Sequence, residues 1–182
     1  MNVEDLPLAG AKLVRPKVFR DPRGFFLETY SEPRYRAAGI VETWVQDNHS
    51  RSTRSTLRGL HYQSAPGQAK LVRVTYGRIY DVLVDIRPDS PTFGRWHGLY
   101  LDAEEHVQVY IPIGFAHGFC VTSDFAEVQY KVSSPYDGAT ECAIRWNDPA
   151  IGVSWPVSDP ILSARDQSSE SFAAFKERAT KS

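Results

Sequence analysis

His61 stands in the run Leu57-Arg58-Gly59-Leu60-His61-Tyr62-Gln63, where Arg58, His61 and Gln63 form a polar stripe with which Leu57 and Leu60 do not keep phase. A lone histidine is more often a satisfied structural residue. One flanked by a guanidinium and an amide in an extended segment can instead face a ligand, and imidazole is the side chain suited to moving protons near neutral pH. Lys70 shares strand parity with Val72, Val74 and Tyr76. If that face is the interior, an ammonium points inward, although a snorkelling lysine at a strand end has the same pattern. Tyr130 keeps phase with Val128 and Val132, as would a core tyrosine with its hydroxyl satisfied. In Pro112-Ile113-Gly114-Phe115-Ala116-His117, proline and glycine make a turn that delivers His117 onto the next strand.

The elements that must position these groups are short runs of period two. Lys70 to Tyr76, a turn at Gly77, and Arg78 to Ile86 with Tyr80, Val82, Val84 and Ile86 on one face together predict a β-hairpin. Asp81 lies opposite in phase to that face, which leaves it either a partner of His117 or a solvated side chain. Further strands are expected at Trp96 to Leu101, Val107 to Ile111, Ala116 to Val121, Ala126 to Val132 and Glu141 to Trp146, separated by turns rich in Pro, Gly and Asp. Helical signals are confined to the ends. Ser31 precedes Glu32 to Ala38 with Pro33 in the first turn and Gly39 as stop, and the tail from Ser163 carries Phe172, Phe175 and Ala179 at helical spacing. With no helix between successive strands, the chain reads as all-β, a sandwich or barrel.

The 182 residues are 42% hydrophobic and 24% charged, enough for one sizeable core, so residues 1–182 are expected to form one domain. Twenty-one Lys and Arg against 22 Asp and Glu give a net charge of -1, which offers no general field for nucleic acid or an anionic membrane. Cys120 and Cys142 lack paired CxxC spacing and read as buried free thiols. The start carries Glu4 and Asp5 and no long apolar run, so no signal peptide or membrane span is expected and the location expected is cytoplasmic. The five histidines, at 49, 61, 97, 106 and 117, include no HxH and no HExxH, so metal ligation lacks its usual signature.

The PxGxxH run resembles the second motif of the cupin superfamily, whose fold is a double-stranded β-helix jelly roll. His61-Tyr62-Gln63 stands where a metal cupin has HxH, and Val121 where it has Asn, so no metal is expected. The whole set of motifs is similar to one cupin family, the dTDP-4-dehydrorhamnose 3,5-epimerases. It comprises Pro16 to Phe19, Asp21 to Glu28, Gln46 to Ser50, Leu57 to Gln63, Ala69 to Arg73, Asp85 to Arg87, Ser90 to Gly94, Ile111 to Phe119, Trp146 to Pro149 and Leu162 to Asp166, in family order.

The resemblance implies an isomerase that inverts C3, C5 or both in a dTDP-4-keto-6-deoxyhexose, by proton removal beside the C4 ketone and reprotonation from the other face. It implies no cofactor, and a homodimer. It makes His61 the base, Asp166 its supporting carboxylate, Lys70 the charge beside the ketone oxygen and Tyr130 the opposing acid. It places Arg23, Glu28, Gln46, Asn48, Arg58, His117, Glu141 and Arg165 at the sugar nucleotide, with Arg58 and Arg23 as bidentate partners of the diphosphate. Tyr136 is weighed for whether one or both centres invert, and the sequence assigns it no role. Two other readings compete: a non-catalytic jelly-roll module for sugar nucleotides or glycans, which has no need of a base and an acid together, and a metal-dependent cupin, which needs the missing HxH.

Overall fold

The computed structural model describes residues 1–179. Its strands are β1 (Asn2–Asp5), β2 (Lys12–Arg15), β3 (Val18–Asp21), β4 (Gly24–Leu27), β5 (Gln46–Thr53), β6 (Leu57–Gln63) and β7 (Lys70–Tyr76), followed by β8 (Arg78–Asp85), β9 (Trp96–Asp102), β10 (Gln108–Ile111), β11 (Phe115–Val121), β12 (Phe125–Val132) and β13 (Glu141–Ala143). Helix α1 (Glu32–Ala37) precedes β5, while α2 (Ala164–Gln167) and α3 (Phe172–Ala179) follow β13. Two antiparallel sheets, in the orders β1-β2-β10-β7-β12-β5 and β13-β6-β11-β8-β9, make the cupin jelly roll, and β3 and β4 form a separate two-stranded ribbon.

Alternation of side chains across each strand sorts the apolar residues into three clusters. Between the sheets, Val72, Val74, Val109 and Val128 of one meet Ile79, Leu83, Phe119 and Val121 of the other. On the outer face of the five-stranded sheet, Leu60, Tyr62, Val82, Val84 and Ile144 are covered by Phe172 and Phe175 of α3. On the outer face of the six-stranded sheet, Val14, Leu71 and Tyr110 are covered by Tyr35 of α1 and by Ile40. A strand clad on both faces loses the alternation of apolar and polar residues, and β8 does so from Val82 to Val84, with Asp81 and Asp85 as buried interruptions.

The hairpin expected across Gly77 does not form. β7 pairs with β10 and β12, β8 with β9 and β11, so Gly77, at φ +72, carries the chain from one sheet to the other. A Cβ at that position would lie 2.2 Å from the Phe125 carbonyl oxygen, so the crossing requires glycine. Period two fixes which face a residue occupies; it does not fix hydrogen-bonding partners, and both faces of β8 are apolar. The inward face proves to be that of Ile79 and Leu83, which carries Asp81 with it into the interior, fully buried. The last strand ends at Ala143, short of the expected Trp146; Ile144 still exchanges two backbone hydrogen bonds with Leu60 of β6 and also bridges Glu170. The expected tail helix is two helices, and Ser31 makes no side-chain bond to the helix it precedes. Both cysteines are free, with Cys120 buried as expected and Cys142 only partly so.

Candidate active site

β6 carries the site because it is irregular. His61 lies opposite His117 in the register with β11, whereas Phe119, two residues on, lies opposite Arg58, three residues back. The extra residue on β6 is a bulge, the device that re-aims a side chain within a ladder. At its centre Gly59 has φ +142, and a Cβ there would stand 2.5 Å from Cα of Gly118 on β11. Leu60 and Tyr62 then face outward under α3 while Arg58, His61 and Gln63 face the interior.

His61 Nε2 pairs with Asp166 Oδ1 at 2.5 Å, across 105 positions of sequence. Asp166 is held by its own helix: Ser163 caps α2 by accepting the Asp166 backbone N–H at 3.1 Å and donates its hydroxyl to Asp166 Oδ2 at 2.9 Å. Burial works against the Asp166 carboxylate, but the His61 and Ser163 hydrogen bonds and the charges of His61 and Arg165 outweigh it and hold its pKa below the usual range. With Nε2 donating to that carboxylate, the neutral imidazole keeps its lone pair on Nδ1.

Lys70, at the start of β7, is 9% exposed. Burial pushes its ammonium down to about 8, partly offset by the negative charges of Glu141 and Asp81. Tyr130 on β12 lies opposite Val72 of β7, and burial, with Glu141 adding to it, raises its phenol. His117 Nε2 pairs with Asp81 Oδ1 at 2.8 Å, both nearly without exposure, and burial holds the imidazole below its ordinary pKa. The second Asp81 oxygen, Oδ2, is buried without a partner. Glu141 of β13 forms a short ion pair with Arg165 of α2, and the Glu141 hydrogen bond and charge raise the Tyr136 phenol against the opposing effect of Arg165.

These groups line two adjoining cavities between the sheets, of about 290 and 310 Å³, and His61, Lys70, Tyr130, Tyr136 and Glu141 border both. Gln46 and Asn48 line the first, bonded to each other at 2.8 Å. Arg58, bonded to Ser52 at 3.0 Å, lines the second with His117, Arg165 and Asp166. Arg23 and Glu28 line neither: Arg23 pairs with Asp21 on the β3–β4 ribbon and Glu28 with Arg34. Among the described residues no group of three or more His, Cys, Asp or Glu side chains is placed to hold a metal.

Sequence reasoning passed over Ser50 and Gln68. Ser50 had a signal, since Gln46, Asn48 and Ser50 alternate with the exposed Asp47, His49 and Arg51, a strand pattern written in polar residues. Gln68, which donates to Gln63 Oε1 at 2.7 Å, lies in a loop and had none.

Chemically the cavity brings together an imidazole backed by a carboxylate, a buried ammonium and a protonated phenol, with arginines at the rim. That is equipment for removing a proton from carbon, holding the resulting anion and returning a proton.

The family model for dTDP-4-dehydrorhamnose 3,5-epimerase matches residues 5–174. A dTDP-4-dehydrorhamnose 3,5-epimerase of Shigella flexneri is 48% identical over 174 residues, 94% of this chain and 96% of that protein. One of Neisseria gonorrhoeae is 47% identical over 180 residues, 98% of this chain, which spans 55% of that relative's length. Among solved structures, the dTDP-6-deoxy-D-glucose-3,5-epimerase of Legionella pneumophila in complex with dTDP-4-keto-L-rhamnose superposes with a TM-score of 0.94 at 41% identity, covering 98% of this chain and 96% of that one.

Proposed function

Because the chain belongs to the dTDP-4-dehydrorhamnose 3,5-epimerase family, we propose that its cavity epimerises a dTDP-4-keto-6-deoxyhexose at carbons flanking the C4 ketone, with His61, Asp166, Lys70 and Tyr130 as the reacting set. The observation that carries this reading is the 2.5 Å His61–Asp166 pair set in one cavity with Lys70 and Tyr130.

His61 Nδ1 takes the proton from the carbon beside the ketone. The electron pair of the broken C–H bond moves into the ring, and the negative charge collects on the C4 oxygen. Asp166 stabilises the imidazolium that forms, as in the hydrolytic triads. Lys70, titrating at about 8, carries its positive charge at neutral pH where the enolate oxygen needs it. Tyr130, kept protonated by burial, donates its proton to the opposite face, and collapse of the enolate restores the ketone with the carbon inverted. Proton exchange with solvent resets both groups. No electron passes between molecules in these steps, so the chemistry calls for no redox cofactor.

Arg58 and Arg165 at the rim suit the diphosphate, with Gln46, Asn48 and Glu141 as further polar contacts. Arg23 lines neither cavity of its own chain. Its ribbon also presents Phe19, Phe25 and Phe26 at 53, 55 and 70% exposure. A homodimer, in which the ribbon of one copy reaches the cavity of the other, gives these residues and Glu28 a role; sedimentation as a 20.5 kDa monomer at micromolar protein contradicts it. No helix among the described residues is long and apolar enough to cross a membrane.

Incubation with dTDP-4-keto-6-deoxyglucose in deuterium oxide, followed by NMR, tests the reading. Deuterium entering at C3, C5 or both supports it and counts the centres inverted. Binding without exchange identifies a sugar-nucleotide module without catalysis.

A further inference from the structure

Behind the cavity, on the outward face of β6, Tyr62, Glu170 and Arg178 close a ring of hydrogen bonds. Arg178 grips the Glu170 carboxylate with both terminal nitrogens, Nη1 to Oε2 at 2.7 Å and Nη2 to Oε1 at 2.6 Å. Its Nη2 also donates to the Tyr62 hydroxyl at 2.6 Å, and Tyr62 donates to Glu170 Oε1 at 3.2 Å. Tyr62 directly follows His61, and Glu170 comes four residues after Asp166. The ring therefore ties the strand that carries the imidazole to the segment that carries its carboxylate, from the side opposite the substrate.

The surroundings fix the ring at both ends. The Glu170 carbonyl accepts the Arg145 N–H at 2.8 Å, and Ile144 bridges Glu170, so the segment after α2 is joined to the segment leaving β13. The Tyr62 ring meets Phe175 edge-on at 5.6 Å. Burial raises the Tyr62 phenol, which keeps it a donor, and the Glu170 carboxylate is held below its ordinary range by Arg178.

We propose that Tyr62, Glu170 and Arg178 are positioning residues that set the distance and angle between His61 and Asp166. This rests on the reading of His61 as base and Asp166 as its support. Arg178 and Glu170 are 50 and 25% exposed, so their ion pair adds little to global stability, and Phe172 and Phe175 already dock α3 by apolar burial. What the ring contributes is geometry, and proton transfer depends on geometry more steeply than folding does.

The test is a double-mutant cycle on the full chain. Glu170→Gln keeps size and removes charge; it is expected to lower kcat for substrate exchange ~10-fold with KM within about twofold. The downfield imidazole proton of the His61–Asp166 pair is expected to move upfield in the same variant without substrate present. In an Asp166→Asn background, Glu170→Gln is expected to cost nothing further in kcat, because the pair it positions is already broken. Should Glu170→Gln fail to fold, Tyr62→Phe, which keeps the ring against Phe175, carries the same cycle with the same expectation of non-additivity. Wild-type kcat with an unmoved resonance, or losses that multiply in the double variant, overturn the proposal. A wild-type chain that exchanges nothing overturns instead the catalytic reading beneath it.

Discussion

Arg58 and His61 lie three residues apart on one strand and face the same cavity. In a regular strand that spacing points side chains to opposite faces. The bulge at Gly59 and Leu60 absorbs the odd residue, so a guanidinium suited to phosphate and an imidazole suited to proton transfer share one wall.

The close approach of Gly59 to Gly118 makes that arrangement sensitive to a single methyl group. Gly59→Ala places a Cβ in contact with the β11 backbone at a φ that L residues rarely adopt. It is expected to destabilise the fold by about 2 kcal/mol or more. Residual activity is expected to fall further than the folded fraction, as read by denaturant unfolding beside kcat on the same sample. A variant with native stability and rate shows that the bulge does not position the site.

Lys70 sets function against stability. A lysine that titrates at about 8 when folded and at 10.5 when free binds fewer protons in the native state between those values, so native stability rises with pH across that window. Below pH 8 the native state bears the full cost, ~3 kcal/mol. Lys70→Met is therefore expected to raise the unfolding midpoint at pH 7, and the gain is expected to shrink as pH rises from 8 to 10.5. Lys70→Ala is expected to slow both exchange and inversion by about 10²–10³ through lost enolate stabilisation. In the wild type, turnover is expected to fall as pH rises through about 8, where the ammonium is lost. A rate flat to pH 10 contradicts the role given to Lys70.

Asp166→Asn replaces the carboxylate that holds His61 in one tautomer. It is expected to lower kcat, with a smaller loss than His61→Asn, because the imidazole remains. Its stability effect has the opposite pH sense to that of Lys70. A carboxylate whose folded pKa is depressed contributes stability that is complete above its free value and is lost as pH falls through the folded one. Acid unfolding compared between wild type and Asp166→Asn is expected to show the difference narrowing as pH falls through that range, and a constant difference contradicts the pairing.

The same steps require no metal, so turnover is expected to survive exhaustive chelation. Loss of activity with a chelator, restored by a divalent transition metal, revives the metal-cupin reading.

Much of this site was legible in the chain because strand parity is a strong constraint. Lys70 and Tyr130 were marked as inward by phase with valines alone, and both line the cavities. Parity also kept Asp81 off the Tyr80 and Val82 face, but which face of β8 looked inward required the C-terminal segment, whose Phe172 and Phe175 cover the other side. The partner of His61 lies 105 residues away, a distance that no local pattern encodes, and Asp166 was named only through the family motif. β5 escaped notice because Gln46 to Thr53 carries almost no apolar residue, its pairing with β12 supplying what its side chains do not. The sheet change at Gly77 was read as a hairpin for the same reason: faces are written in the sequence and hydrogen-bonding partners are not.

The central claim, that His61 removes and Tyr130 returns the proton, is tested most directly by deuterium incorporation into dTDP-4-keto-6-deoxyglucose by three proteins in parallel. Wild type is expected to incorporate deuterium and invert, His61→Asn to do neither, and Tyr130→Phe to retain exchange while inversion is suppressed, since reprotonation from the original face survives. Exchange near the wild-type rate in His61→Asn contradicts the assignment and makes His117 the base to examine.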